Sequence, residues 1–237
     1  MTARELFQAG RLNESVQALG AELRKDPTDT RRRTFLFELL CFAGEYERAE
    51  KQLDILASEK KESDLGALLY RAAIHAERTR NEMFSKRDFP SGPASEQVDG
   101  TFEGQPFSTI EDGDPRIGPR LEVFAAGAYL WIPFEHLASI EIPEPKRLRD
   151  LIWTPALVRT GPAFKGKELG EVLLPVLTPL SSRHPDDNVR LGRSTIWEET
   201  EDGRVVPAGQ KMIVVDGEEV PILEIRSIHF VATQAAA

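Results

Sequence analysis

The sequence predicts an α+β fold: tetratricopeptide-like helical repeats first, then a small, curled antiparallel β-sheet of barrel-like form. Three observations carry this expectation. Residues 1–87 hold 4 of the 17 glycines and 1 of the 16 prolines, which suits helices, whereas the remaining 150 residues hold 13 glycines and 15 prolines, which suits short strands and turns. Charge divides at the same place, with 16 basic and 15 acidic residues before residue 88 and 14 basic and 24 acidic after it. Finally, a short pattern repeats within the first part. The organisation read from these shifts is a helical unit over 1–87, a connector over 88–120 that packs between the two parts, and a β-rich unit over 121–237.

The repeat sets the helical reading. Gly10, Leu12, Ser15 and Leu19 recur as Gly44, Tyr46, Ala49 and Leu53, an offset of 34 residues and the period of the tetratricopeptide repeat. Glycine permits a tight turn between helices, and the small Ser15 and Ala49 allow close helix approach. Leu19 and Leu53 fall on the face buried by each pair. Helices are expected at about 2–9, 12–25, 29–43, 45–60 and 64–86. Between the second and third, Pro27 cannot continue a helix, and Thr28 or Asp29 can cap the next. The third carries Phe35, Leu36, Leu39, Leu40 and Phe42, an apolar stripe that reads as core.

Residues 88–120 contain Pro90, Pro93, Gly100, Gly104, Pro106, Gly113, Pro115, Gly118 and Pro119. Phe102, Phe107 and Ile110 suggest that this connector packs as it crosses. Strands are expected to start only after about residue 107. From 121 onward, Leu121–Phe124 and Tyr129–Ile132 read as a hairpin, and Phe134–Leu137 as a short helical turn. Ser139–Ile142, Leu151–Val158 and Gly170–Leu177 read as further strands, the last two broken by proline. Asp216-Gly217 between apolar runs is a type I′ hairpin signal, and Ile225–Phe230 pairs last.

The net charge of −9 argues against a general nucleic-acid binder. No apolar run approaches the roughly 20 residues of a membrane helix, and the first residues lack the apolar stretch of a signal peptide. A single cysteine, Cys41, excludes an intrachain disulfide and suits a cytoplasmic location. Motifs for chemistry are thin. The four histidines form no metal-ligand spacing on one helix, and no Gly-rich phosphate loop or serine elbow is present. Cofactors are therefore not expected, and the absent motifs lower the enzyme alternative without removing it. Arg31, Arg32 and Arg33 open the third helix as a candidate contact for an acidic partner, although such runs often only solvate a helix face. Arg147, Arg149, Asp150 and Trp153, with Arg193 and Trp197, read as an ion pair and aromatics that pin a core.

A set of segments resembles one known family. These are Asp114-Pro115-Arg116, Gly127 to Pro133, Arg147 to Ala156, Gly170 to Pro175 and Leu191 to Trp197, with the run from Leu23 to Asp54 in the helical part. Together they are similar to the ImpE/SciE family of accessory proteins of bacterial type VI secretion. The chain departs from the family pattern at Val176–Leu180 and at Thr195-Ile196-Trp197. The resemblance implies a non-enzymatic cytoplasmic protein. It implies as partner the N-terminal helix of the small contractile-sheath subunit and, for some members, the ATPase that recycles the sheath. It assigns no binding residue. Two other classes stay open: a general helical-repeat adaptor unrelated to secretion, and a small-ligand enzyme using Arg147, Asp150, Arg193 and His136.

Overall fold

A computed structural model describes residues 1–59, 63–166 and 168–231. Five helices come first: α1 (Ala3–Gln8), α2 (Leu12–Lys25), α3 (Thr30–Phe42), α4 (Tyr46–Glu59) and α5 (Ser63–Ser85). Thr2 and Glu5 form a reciprocal cap on α1, and the Asp29 carboxylate accepts from Arg32 N at 2.9 Å to start α3. Gly10 and Gly44 join α1 to α2 and α3 to α4 with φ of +73° and +72°, left-handed turns that glycine adopts without strain. The small residues do what the spacing predicts: Ser15 and Ala49 are fully buried between paired helices, and Ser15 Oγ donates to Ala3 O at 2.6 Å.

Among the described residues twelve strands follow: β1 (Gln97–Phe102), β2 (Gln105–Asp112), β3 (Arg120–Ala125), β4 (Ala128–Pro133), β5 (Leu137–Glu141), β6 (Trp153–Thr160), β7 (Gly170–Pro175), β8 (Thr195–Glu199), β9 (Val205–Gly209), β10 (Met212–Val215), β11 (Glu218–Pro221) and β12 (Ser227–Phe230). Ten of them form one antiparallel sheet in the order β11-β10-β2-β1-β12-β5-β6-β7-β3-β4, and β8 pairs with β9 as a separate ribbon. A short helix α6 (Asp187–Arg190) precedes that ribbon.

This corrects the expectation of a small, barrel-like sheet. The sheet is large and open, with β11 and β4 at its two edges. The enlargement comes from β1 and β2, which arise within the segment read as a connector and enter the sheet between β10 and β12. Gly100 and Pro106 disguised them, since both weaken a strand pattern. Gly100 is required there by close approach: a Cβ would lie 2.3 Å from His229 O and 2.7 Å from the Phe107 ring. The Asp216-Gly217 hairpin between β10 and β11 is present, with φ of +48° and +85°.

Strand alternation splits the core into two layers. On β3, Leu121 and Val123 join the layer containing Phe134, Val158, Leu174 and Ile228. Phe124 points the opposite way, into the layer shared with the helices, which also holds Leu36, Phe37, Ile74, Trp153 and Leu173. Helices and sheet thus bury one continuous apolar layer. The chain's far end also caps its beginning: Asp187 Oδ2 accepts from Leu12 N, the first residue of α2, at 2.7 Å.

Candidate partner-binding groove

Where α1 and α3 face the segment 145–151, an open groove encloses about 1390 Å³. Its floor is apolar, made by Ala3 and Phe7 of α1, Leu19 of α2, Phe35 of α3, and Leu148 and Leu151. Phe7 and Phe35 meet edge to face with ring centroids 5.6 Å apart, so the floor is a packed platform. The opposite wall is a 3-10 turn, Leu148–Leu151, fixed by Asp150. The buried Asp150 carboxylate accepts from Lys146 N and Arg147 N, both at 2.9 Å. That pins the backbone and turns the Lys146 and Arg147 side chains out to solvent.

The rim is cationic: Arg4, Arg31, Arg32, Lys146, Arg147 and Arg149, against two carboxylates, Glu22 and Glu38. Both carboxylates are engaged within the fold. Glu22 accepts from Ala3 N at 3.2 Å and pairs with Arg32 at 3.2 Å. Glu38 pairs with Arg149 at 3.4 Å. Burial raises the Glu38 pKa, an effect only partly countered by Arg149. Arg149 in turn lies over the Tyr70 ring, 4.9 Å from its centroid.

The three arginines that open α3 have three different environments, because successive helical side chains point about 100° apart. Arg31 is exposed on the groove rim. Arg32 also lines the groove but is tied to Glu22, Asp26 and Asp29. Arg33 is buried, bonded to Gln52 Oε1 at 3.0 Å and to Pro27 O, and does not line the groove. Sequence reasoning missed Arg4, Lys146 and Arg147 as parts of this rim. The Arg147-x-Arg149-Asp150 spacing predicts an Asp150–arginine pair, not a groove rim. Asp150 instead takes backbone donors, and Arg149 finds Glu38. Trp153 is buried as expected, and its Nε1 donates to Glu77 Oε2 at 3.1 Å.

The residues of the enzyme alternative are not assembled. Arg147 stands on the groove rim and Asp150 caps its turn. Arg193 bonds Phe7 O at 2.7 Å and Gln8 O at 3.0 Å, with its guanidinium 4.8 Å over the Phe7 ring. His136 sits in the 3-10 turn after β4, whose carbonyl accepts from Gly161 N. Cys41 is buried in α3, and desolvation pushes its thiol pKa well up. Among the described residues, no three of His, Cys, Asp and Glu are grouped so as to hold a metal ion, and no helix is long and apolar enough to cross a membrane.

A second polar cluster lies between α5 and the sheet, fully enclosed. Arg80 forms a two-pronged pair with Glu122 of β3 at 2.7 and 2.6 Å, and also reaches Leu177 O and Glu77. Lys211 pairs with the same Glu122 at 2.6 Å and with Asp112. Burial pushes the Glu122 carboxyl up, but Arg80 and Lys211 outweigh it and hold it below its usual range. For Asp112 the balance is reversed: desolvation exceeds the pull of Lys211, and its pKa is raised. With no opening to solvent, this cluster fastens α5 to β3.

The fold is similar to that of protein VPA1032 from Vibrio parahaemolyticus, known from a crystal structure, with a TM-score of 0.83, 21% sequence identity and 98% of each chain covered. By sequence, the chain is 32% identical, over an alignment 273 positions long with gaps, to the type VI secretion system accessory component TagJ of Pseudomonas aeruginosa, spanning 99% of this chain and 93% of that protein. The profile of the ImpE protein family matches residues 104–229, from the turn before β2 into β12. The match runs through the sheet that carries Glu122 and the turn that forms the groove's second wall, and the chain belongs to the ImpE family.

Proposed function

We propose that this chain is a cytoplasmic accessory protein of a bacterial type VI secretion system that acts by binding rather than catalysis. Its partner in this reading is the N-terminal helix of the small contractile-sheath subunit, seated in the groove between α1, α3 and the 145–151 turn. The observation that carries the reading is the 32% identity along 99% of the chain to a protein named as such a component. The groove supplies a matching surface. Its volume exceeds the roughly 300–1,000 Å³ of most small-molecule pockets, and its floor is an apolar strip. A helix laid by its apolar face into such a groove is a recurrent recognition mode. In this proposal the two helix pairs, turning at Gly10 and Gly44, act as tetratricopeptide-like units that build one wall of it.

The test is calorimetric titration of the full chain with the N-terminal peptide of the small sheath subunit from the same gene cluster. Binding is expected, and Phe35→Asp should weaken it by at least about tenfold by placing a charge on the floor. Circular dichroism of that variant checks that the helices persist. The absence of both heat and co-elution at tens of micromolar would reject this partner and leave a general adaptor as the better reading.

A further inference from the structure

We propose that the groove selects an acidic amphipathic helix. The occupant seats its apolar stripe on Phe7, Phe35, Leu148 and Leu151, and its flanking carboxylates meet Arg4 and Arg31 on the helical wall and Lys146 and Arg147 on the opposite wall. This rests on the groove being the binding surface, and adds the charge and the discriminating residues of whatever binds there.

The argument is one of charge compensation. The chain as a whole carries a net charge of −9, yet the groove lining holds six cations and two carboxylates. Those two carboxylates are already satisfied, Glu22 by Ala3 N and Arg32, and Glu38 by Arg149. Arg32 and Arg149 are thereby neutralised in place. Arg4, Arg31, Lys146 and Arg147 form no ion pair among the described residues, and all four are exposed. Elsewhere on the helical unit, Arg11 pairs with Glu14, Arg48 with Glu45 and Arg71 with Asp54, whereas the exposed Arg24, Lys25 and Lys51 form no ion pair among the described residues and lie outside the groove. What sets Arg4, Arg31, Lys146 and Arg147 apart is their place: they flank one apolar floor on both sides. A positive potential in a concave, partly apolar site is focused by its low-dielectric walls. A helix is about 10 Å across, so side chains bordering its apolar stripe project to both walls at once. Carboxylates at those positions meet two-pronged arginine donors, whereas lysines there would oppose four like charges.

Two designed helical peptides test this. They share one leucine stripe and differ only in the flanking positions, glutamate in one and lysine in the other. Each is titrated against the full chain by fluorescence anisotropy, at low and at high salt. The glutamate peptide should bind at least tenfold more tightly at low salt, with the gap narrowing as salt screens the rim. The double variant Arg31→Glu plus Arg147→Glu, both exposed and outside the core, should erase or reverse the preference while its circular dichroism stays unchanged. Equal affinities, tighter binding of the lysine peptide, binding of neither, or a preference that survives the double variant would overturn the proposal. The sheath-subunit peptide is run in parallel. If it alone fails while the glutamate peptide binds, the sheath partner falls and the groove's selectivity stands. If it binds equally well to wild type and double variant, the selectivity falls and the partner stands.

Discussion

Glu122 and Asp112 share Lys211, yet removing their charges should have unequal consequences. Glu122 is fully enclosed and faces two cations, Arg80 and Lys211. Glu122→Gln keeps the side-chain shape but leaves a guanidinium and an ammonium short of their main counter-charge. Removing one partner of a buried pair costs about 3–5 kcal/mol. Asp112→Asn removes the charge that burial already opposes. If all five groups were ionised, Arg80 and Lys211 would face Glu77, Glu122 and Asp112, an excess of one negative charge. Neutralising Asp112 restores balance, so its variant should cost only about 1–2 kcal/mol, mainly the altered hydrogen bond to Lys211. Urea unfolding followed by tryptophan fluorescence at pH 7 measures both. With an m-value of about 2–3 kcal/mol/M, Glu122→Gln should lower the midpoint by about 1–2.5 M, and Asp112→Asn by clearly less. The pH dependence has opposite signs for the two groups. Glu122 sits below its usual pKa in the folded state, so it stabilises above the ordinary glutamate range, and that stability is lost as the pH falls through its depressed value. Asp112 sits above its usual pKa, so its penalty is absent at low pH and grows as the pH rises through the ordinary range toward the raised value. The cost of Asp112→Asn relative to wild type should therefore shrink as the pH rises. A cost for Asp112→Asn equal to that of Glu122→Gln, or one that grows with pH, would refute this account of the cluster.

Two further substitutions probe the scaffold. Ala49 is fully buried on α4, so Ala49→Trp should overpack the α3–α4 contact and cost roughly 1–3 kcal/mol, and an unchanged melting temperature would count against that packing. Gly100→Ala puts a Cβ 2.3 Å from His229 O, so β1 should part from β12, seen as faster amide hydrogen exchange in those two strands and a loss of roughly 1–3 kcal/mol, while unaltered exchange would show that the close approach is not needed.

What the sequence by itself determined is local. The helical spacing of apolar residues, the 34-residue offset and the capping residues place all five helices to within a residue or two, because backbone hydrogen bonding and burial of one face depend on near neighbours. The Asp216-Gly217 hairpin was legible for the same reason: a two-residue turn that needs positive φ names its own residues. Part of the groove could have been read more finely. Arg33 lies three and four residues before the buried Leu36 and Phe37, so the phase of the apolar stripe separates it from the exposed Arg31.

Only the tertiary structure decided the rest. Pairing of β1 and β2 into the middle of the sheet depends on partners more than a hundred residues away, and their own residues, with Gly100 and Pro106, argue locally against strands. An arginine carries the same letter whether enclosed like Arg80, held by a neighbour like Arg32 or uncompensated like Arg147, because its role is set by which carboxylates the fold brings within reach. The groove itself joins Arg4 and Arg31 to Lys146 and Arg147 across more than a hundred residues of chain. No spacing encodes that meeting. It follows from the helices sharing one apolar layer with the sheet face that carries Trp153, with the 145–151 turn set opposite α1 and α3.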